Sequence, residues 1–373
     1  MLSREELKDI SKIHGNGSYF VSLYLNVDPV TNPRGEYMVR FKNMMKDTIE
    51  SMDKTVLRKV KADLDAIDAY IFGNRRDFKK GLSILSSAEN SFWRRYDVSV
   101  PLKSELIVDK LPYIKPLLDI VDNYQRYAVL LVDKESARIF VMHLGEIIEF
   151  GEVHTADVPG KHKKGGWFAL SQNHYERHIA YHVGMHLKDV IKRLDSFIKR
   201  QYIGRVIIAG GEEAVSMTKA LLPKTVTDRI IGSFQAGMFE GNTDILKKVE
   251  PVQEAFERQK ETDTVNELIQ RARKNEKAVL GIDDVLNAVQ EGRVMKLVFL
   301  RDFKYQGYSC VSCRALSAQG LRSCPYCKGK MEDVGYLVDL IAQKAVEQGS
   351  IIEVVTASAE LKEAGSIGAF LRF

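Results

Sequence analysis

Apolar positions along the chain follow two rhythms, one of period two and one of period three to four. Near the N-terminus, "YFVSLYLNV" (residues 19–27) and "GLSILSS" (81–87) are short and apolar-rich, and they predict partly buried β-strands. Between them, residues 37–72 carry Met44, Ile49, Met52, Val56, Val60, Leu64, Ile67 and Ile71, mostly three or four positions apart. That spacing puts them on one face of an amphipathic helical segment. "DVSVPL" predicts a third strand that stops at Pro101, completing a small α/β unit.

A new pattern begins near residue 123. Residues 126–153 predict three strands in a meander, with turns at 133–136 and around Gly145. Residues 168–200 contain no proline and one glycine, Gly184, and keep Tyr175, Ile179, Val183, Leu187, Val190, Leu194 and Ile198 at helical spacing. One long helix is expected there. "RVIIAGG" is apolar up to its glycines, the mark of a strand buried on both faces, and "EEAVSMTKALL" reads as a helix.

The last region starts near Pro251 with a charged, interrupted helix over 252–279. "GIDDVLNAVQEGRVMKLVFL" and "VGYLVDLIAQKAVEQGSIIEVVT" then repeat one plan of helix, glycine and strand, which predicts an α/β/α sandwich. The chain therefore reads as an α/β protein of three domains, 1–122, 123–254 and 255–373. Its 373 residues agree with roughly 150 per domain.

Composition changes the picture in two places. Hydrophobic residues at 45% and charged residues at 28% describe an ordinary globular chain that can bury several cores. No apolar run approaches about 18 residues, so no membrane span is expected. The opening "MLSREELKDISKIHG" lacks the apolar core of a signal peptide, which favours a cytoplasmic protein. Charge is uneven. Residues 160–205 hold ten Lys/Arg against Glu176, Asp189 and Asp195, a larger excess than the net +5 of the whole chain. Such a segment suits a polyanion, with nucleic acid first, or else a solvated helix face.

All four cysteines fall in one short segment, as "CVSC" (Cys310, Cys313) and "CPYC" (Cys324, Cys327). Each C-x-x-C turn presents two thiolates, and two such turns complete a tetrahedral shell with no position left for water. A structural zinc ion is expected. Iron in its place, a redox dithiol and unligated thiol pairs are the alternatives.

Ahead of the long helix lies "VPGKHKKGGWFALSQNHYERHIAYHVGMH". Gly165 and Gly166 lack Cβ atoms, so the backbone there can approach a partner closely. Lys161, His162, Lys163 and Lys164 before them, with Arg177 beyond, are candidate phosphate contacts, and the helix start adds free N–H groups. His174, His178, His182 and His186 recur every four residues and form one drifting stripe. There is no H-E-x-x-H, so packing at the seam's edge or a polar, RNA-facing surface is expected of them before metal binding.

Taken in order, the meander, "KHKKGGW", the long basic helix, "RVIIAGG", "GIDDVLNAVQEG" with its cysteine turns and the ending "GSIGAFLRF" resemble a known superfamily. It comprises the archaeal and eukaryotic peptide-chain release factors, the Pelota-type rescue factors and their bacterial members, and the resemblance extends over all three domains. It implies an RNase H-like central domain whose Gly-Gly-Gln loop enters the peptidyl transferase centre and promotes peptidyl-tRNA hydrolysis. It also implies an L7Ae-like C-terminal domain, here with an inserted zinc ribbon, that docks a translational GTPase. The N-terminal domain reads stop codons in the decoding members. Carried over, Gly165 and Gly166 match the two glycines, Trp167 stands where the family has glutamine, and Gln172 follows on the helix. These four are the candidate catalytic residues.

No Asn-Ile-Lys-Ser motif occurs in residues 1–120, so stop-codon reading is not expected. The resemblance implies the ribosome, its rRNA and peptidyl-tRNA as partners. A factor that binds the ribosome without catalysis, in rescue or hibernation, is the alternative. A nuclease built on the central domain would need clustered Asp/Glu, and the sequence displays none.

Overall fold

Ser3 opens the first helix by accepting the N–H of Glu6 on its hydroxyl, and α1 (Arg4–Ser11) follows with Leu7 and Ile10 buried. The computed structural model describes residues 2–13, 17–75, 77–123, 126–154 and 169–373. It divides into two compact units, one of 1–123 with 259–373 and the other of 124–258.

In the first unit the predicted strand at 19–27 forms β1 (Phe20–Asn26). The amphipathic segment after it is two helices, α2 (Tyr37–Ser51) and α3 (Lys54–Gly73), because Met52 is extended and ends the first. Ser51 and Asp53 flank the break; such side chains compete with helical hydrogen bonds. β2 (Gly81–Ser87) falls as expected. The third strand is earlier than expected, at β3 (Phe92–Val98), and β4 (Glu105–Asp109) was not foreseen. The sheet runs β3-β2-β1-β4, with every pair antiparallel. Phe41, Val60, Leu64, Ile67 and Ile71 cover it, packed on Val21, Leu23, Leu25, Leu82 and Ile84. α4 (Lys115–Asn123) closes this segment.

The second unit holds β5 (Tyr127–Val132), β6 (Ser136–His143) and β7 (Glu146–His154) as the predicted meander. α5 (Ala169–Arg200) is the long helix, 32 residues or about 48 Å. β8 (Arg205–Gly210) lies parallel to β5, and every residue of both is buried. α6 (Glu212–Leu221), α7 (Lys224–Thr227) and β9 (Ile230–Gln235) follow, and the sheet order is β7-β6-β5-β8-β9. Alternate residues face opposite ways. Leu130, Val132, Val206 and Ile208 meet Val183, Leu187, Val190, Leu194 and Ile198 of α5. Val129, Leu131, Ile207 and Ala209 meet Ile245 and Val249 of α8 (Asn242–Arg273). Helices on both faces are why these strands read as unbroken apolar runs.

α8 starts earlier than the sequence predicted and continues through Pro251. Proline costs it one backbone hydrogen bond, but Ile245 and Val249 just before it are buried in the core of the second unit. Packing overrides the local preference.

The rest of the first unit contains β10 (Ala278–Leu280), α9 (Ile282–Gln290), β11 (Val294–Leu300), β12 (Gly307–Cys310), β13 (Leu316–Ser317) and β14 (Met331–Val334). It ends with α10 (Leu337–Glu347), β15 (Ile351–Val355), α11 (Ala359–Glu363) and β16 (Ile367–Leu371). The repeated helix–glycine–strand plan is present twice. Gly292 (φ 70°) and Gly349 (φ 78°) close α9 and α10 in the left-handed region, and the strands that follow, β11 and β15, pair in parallel. β16 inserts between β10 and β11, giving the order β10-β16-β11-β15. β12, β13 and β14 make a small separate sheet that carries the cysteines.

Charge links the two chain segments of this unit. Asp122 on α4 pairs with Arg4 and lies 3.7 Å from Lys260, which is 2.8 Å from the buried Glu353. Asp119 meets Arg301 at 3.2 Å, Lys115 meets Asp339 at 3.2 Å, and Lys110 meets Glu332 at 2.8 Å. Burial pushes the Asp119, Asp122 and Asp339 carboxyls up, against the pull of these cations.

Burial also pushes the Asp109 carboxyl up to about 6, although the Lys110 N–H and the Tyr336 hydroxyl favour its anion. A carboxyl that holds its proton more tightly when folded stabilises the fold at low pH, and that contribution is lost as pH rises through the folded value. For Asp109 the window is about pH 4 to 6. Urea unfolding across this window should show Asp109→Asn losing less stability with rising pH than the parent protein. Equal slopes for the two would contradict the assignment.

Candidate functional site

The two cysteine turns face each other. Their four Sγ atoms all lie within 4.8 Å of one another. Between the turns, Cys310 lies 3.4 Å from Cys327 and Cys313 lies 3.4 Å from Cys324. A tetrahedral ion with bonds of about 2.3 Å needs sulfur separations near 3.8 Å, so the spacing fits a metal of that size. Backbone bonds build each turn in the same way. Arg314 N–H donates to the Cys310 carbonyl at 2.9 Å, and Lys328 N–H donates to the Cys324 carbonyl at 3.0 Å. Arg314 (φ 58°) and Lys328 (φ 61°) both take the left-handed conformation directly after the second cysteine.

Electrostatics agrees with the geometry. The N–H groups of Cys313 and Ser312 pull the Cys310 thiol down to about 6. Burial pushes Cys324 up, but the N–H groups of Cys327 and Tyr326 outweigh it and the thiol is held below its ordinary value. At Cys313 the Ala315 N–H favours the thiolate, yet the neighbouring sulfurs dominate and push it up to about 12. Four sulfurs this close do not all ionise without a cation among them. Cys310 and Cys324 are buried, whereas Cys313 and Cys327 are exposed.

Sequence reading did not single out Gly329. A Cβ there would stand 2.7 Å from the Ser312 hydroxyl and 3.2 Å from the Cys310 sulfur. The turn closes over the sulfurs only because this position has no side chain. Its neighbours give the one clue available, a glycine shortly after a C-x-x-C pair.

The Gly-Gly segment is a different case. Lys161, His162, Lys163, Lys164, Gly165, Gly166 and Trp167 lie outside the described residues. Gln172, His174, Arg177 and His178 are on α5, as expected. His186 is buried on the same helix, where burial pushes its imidazole down, while His182 is half-buried with its ring edge-on to Tyr181 at 5.8 Å. His186 therefore belongs to the packing seam.

Part of the basic excess of 160–205 is neutralised within the protein. Arg193 meets Asp189 at 3.0 Å, Lys199 meets Asp195 at 2.6 Å, and Arg205 pairs with Glu257. Lys188 and Lys192 stay exposed on α5. No helix among the described residues is long and apolar enough to cross a membrane.

Comparison with known proteins bears on the central segment first. Residues 112–254 match the family described as bacterial archaeo-eukaryotic release factor family 10. Over 411 residues the chain is 23% identical to peptide chain release factor subunit 1 of Archaeoglobus fulgidus, covering 99% of this chain and 96% of that protein. The corresponding protein of Thermoplasma acidophilum is 23% identical over 408 residues, covering 99% and 94%. Among solved structures, Archaeoglobus fulgidus Pelota aligns with 78% of this chain and 79% of its own, at 15% identity and a TM-score of 0.37. The similarity to the archaeo-eukaryotic release factors expected from the sequence is thus present along nearly the whole chain.

Metal content tests the cysteine centre. The purified protein should carry one divalent ion per chain, released when the thiols are modified. Gly329→Ala should weaken its retention against a chromogenic chelator by about tenfold. An ion-free native protein, or unchanged retention in the variant, would contradict the arrangement.

Proposed function

We propose that this chain is a cytoplasmic factor of the ribosomal A site, acting in translation termination or ribosome rescue, that presents residues 161–167 to the peptidyl transferase centre. The observation that carries the reading is the release-factor family match over 112–254, the segment that contains both Gly165-Gly166 and α5. The full-length similarity to proteins named peptide chain release factor subunit 1 supports it.

In this reading the domains are 1–122, 123–254 and 255–373. The order β7-β6-β5-β8-β9, with a meander followed by parallel strands, supports an RNase H-like central domain. The mixed sheet β10-β16-β11-β15 supports an L7Ae-like C-terminal domain, and the cysteine-bearing sheet supports an inserted zinc ribbon. The C-terminal domain is then the candidate surface for a translational GTPase. Lys161, His162, Lys163, Lys164 and Arg177 contact rRNA and tRNA phosphates, whose charge they match.

Chemistry at the tip depends on Trp167. Glutamine can orient a water through donor and acceptor atoms, whereas indole offers one donor and no acceptor. Hydrolysis of peptidyl-tRNA then rests on the backbone N–H at Trp167 facing the developing oxyanion, with Gly165 and Gly166 allowing that approach and Gln172 following five positions later in the sequence. The tryptophan ring itself suits stacking on an exposed base of the tRNA end. This substitution also favours a second reading, in which the protein holds a stalled or idle ribosome without catalysis. Sense-versus-stop discrimination is not part of either.

Ribosomes carrying labelled peptidyl-tRNA separate the two. Under catalysis the wild type and Trp167→Ala release peptide, while the double variant Gly165→Ala/Gly166→Ala falls by about 100-fold. Ribosome binding without release in every form would establish the second reading. Absence of binding would reject both.

A further inference from the structure

The sheet that carries the cysteines has a surface to which the proposed function assigns no RNA contact. Between Phe303 and Met331 the chain has five cations, Lys304, Arg314, Arg322, Lys328 and Lys330, and no acid. Four thiolates around a divalent ion leave a formal charge of about −2, so this segment remains positive with the site filled.

Backbone register gathers most of that charge at one end of the sheet. Cys310 pairs with Met331, Val311 N–H donates to the Lys330 carbonyl at 3.1 Å, and Lys330 bridges Ser323, the neighbour of Arg322. The turn from Cys324 to Gly329, closed by the Cys324 N–H to Gly329 carbonyl bond at 2.8 Å, adds Tyr326 and Lys328 beside them. Tyr326 is 65% exposed and Val311 56% exposed. Arg322 and Lys328 are exposed and have no acidic partner among the described residues. Lys330 reaches only Glu332, at 3.7 Å, with its own side chain 78% exposed.

An exposed tyrosine among exposed cations is poor packing and good recognition. The ring provides a face for stacking, the cations match phosphates, and the closed turn holds both in place before any partner arrives. We infer that the Arg322–Tyr326–Lys328–Lys330 tip is an RNA-binding surface, taking the backbone phosphates and one unstacked base of a single-stranded or looped RNA. The cations alone would suit an acidic protein equally, but the exposed aromatic ring favours a partner with bases. The inference is separate from the role of residues 161–167 and can stand or fall without it.

The test uses the full-length, metal-loaded protein and a fluorescein-labelled 12-nucleotide polyuridylate, followed by anisotropy over a range of KCl concentrations. Each lost phosphate contact on a single strand removes about 0.7 from the salt dependence of log affinity, so Arg322→Gln/Lys328→Gln/Lys330→Gln should flatten that slope by about 2. Tyr326→Ala should weaken binding about tenfold and leave the slope unchanged. Should the triple variant lose metal, Tyr326→Ala and Lys330→Gln alone carry the test. A variant with Lys161, Lys163 and Lys164 changed to Gln distinguishes the two surfaces: additive losses support the inference. Parental affinity and slope in both tip variants would overturn it. So would equal affinity of the tip for a 12-residue polyglutamate, which would make the surface one for acidic proteins.

Discussion

The packing of α5 on the β5–β8 pair is the contact on which the functional arrangement depends. Val183, Leu187, Val190, Leu194 and Ile198 are all buried against Leu130, Val132, Val206 and Ile208. Each such side chain contributes about 1.5–3 kcal/mol when taken out of water, and five of them fix the C-terminal half of a 32-residue helix. Ala169, where that helix begins, follows Trp167 by two positions. The exposed side of the same helix displays Lys188 and Lys192.

The first unit solves a different problem. Its cysteine-bearing sheet has three short strands and a core of little more than Cys310, Ala315, Cys324 and Met331. So small an apolar cluster offsets little of the entropy of ordering its loops, and a metal ion held by the four thiolates would supply the difference. The left-handed Arg314 and Lys328 and the side-chain-free Gly329 are the backbone conditions for that coordination. They also leave exposed cations and Tyr326 outside the sulfurs, where the inferred RNA-binding surface lies.

Long or strongly periodic elements were readable from the sequence. The meander, α5, β8 and the twice-repeated helix–glycine–strand plan each combine a clear period with a clear stop, and the structure has them where they were expected. The misses share physical causes. β4 and β9 lie at sheet edges with mostly half-buried residues, so neither an apolar run nor a clean alternation marks them. β10 has three residues, and β16 starts beside Gly368 and Ala369, which have little β-propensity and owe their place to the strands on either side. Residues 37–72 kept one apolar stripe across a break at Met52, and Pro251 sits inside a helix whose Ile245 and Val249, just before it, are buried. At the site, spacing alone found the four cysteines, whereas Gly329 became visible only through the atoms it leaves room for.

The central claim is that residues 161–167 enter the catalytic heart of the ribosome. Site-specific photocrosslinking tests it directly, with benzoylphenylalanine placed at Trp167 in the full-length protein bound to ribosomes carrying peptidyl-tRNA. The account predicts crosslinks to the 3′ end of the tRNA and to rRNA of the peptidyl transferase centre, lost when the A site is already filled. Crosslinks confined to the protein itself, or to RNA remote from that centre, would contradict it.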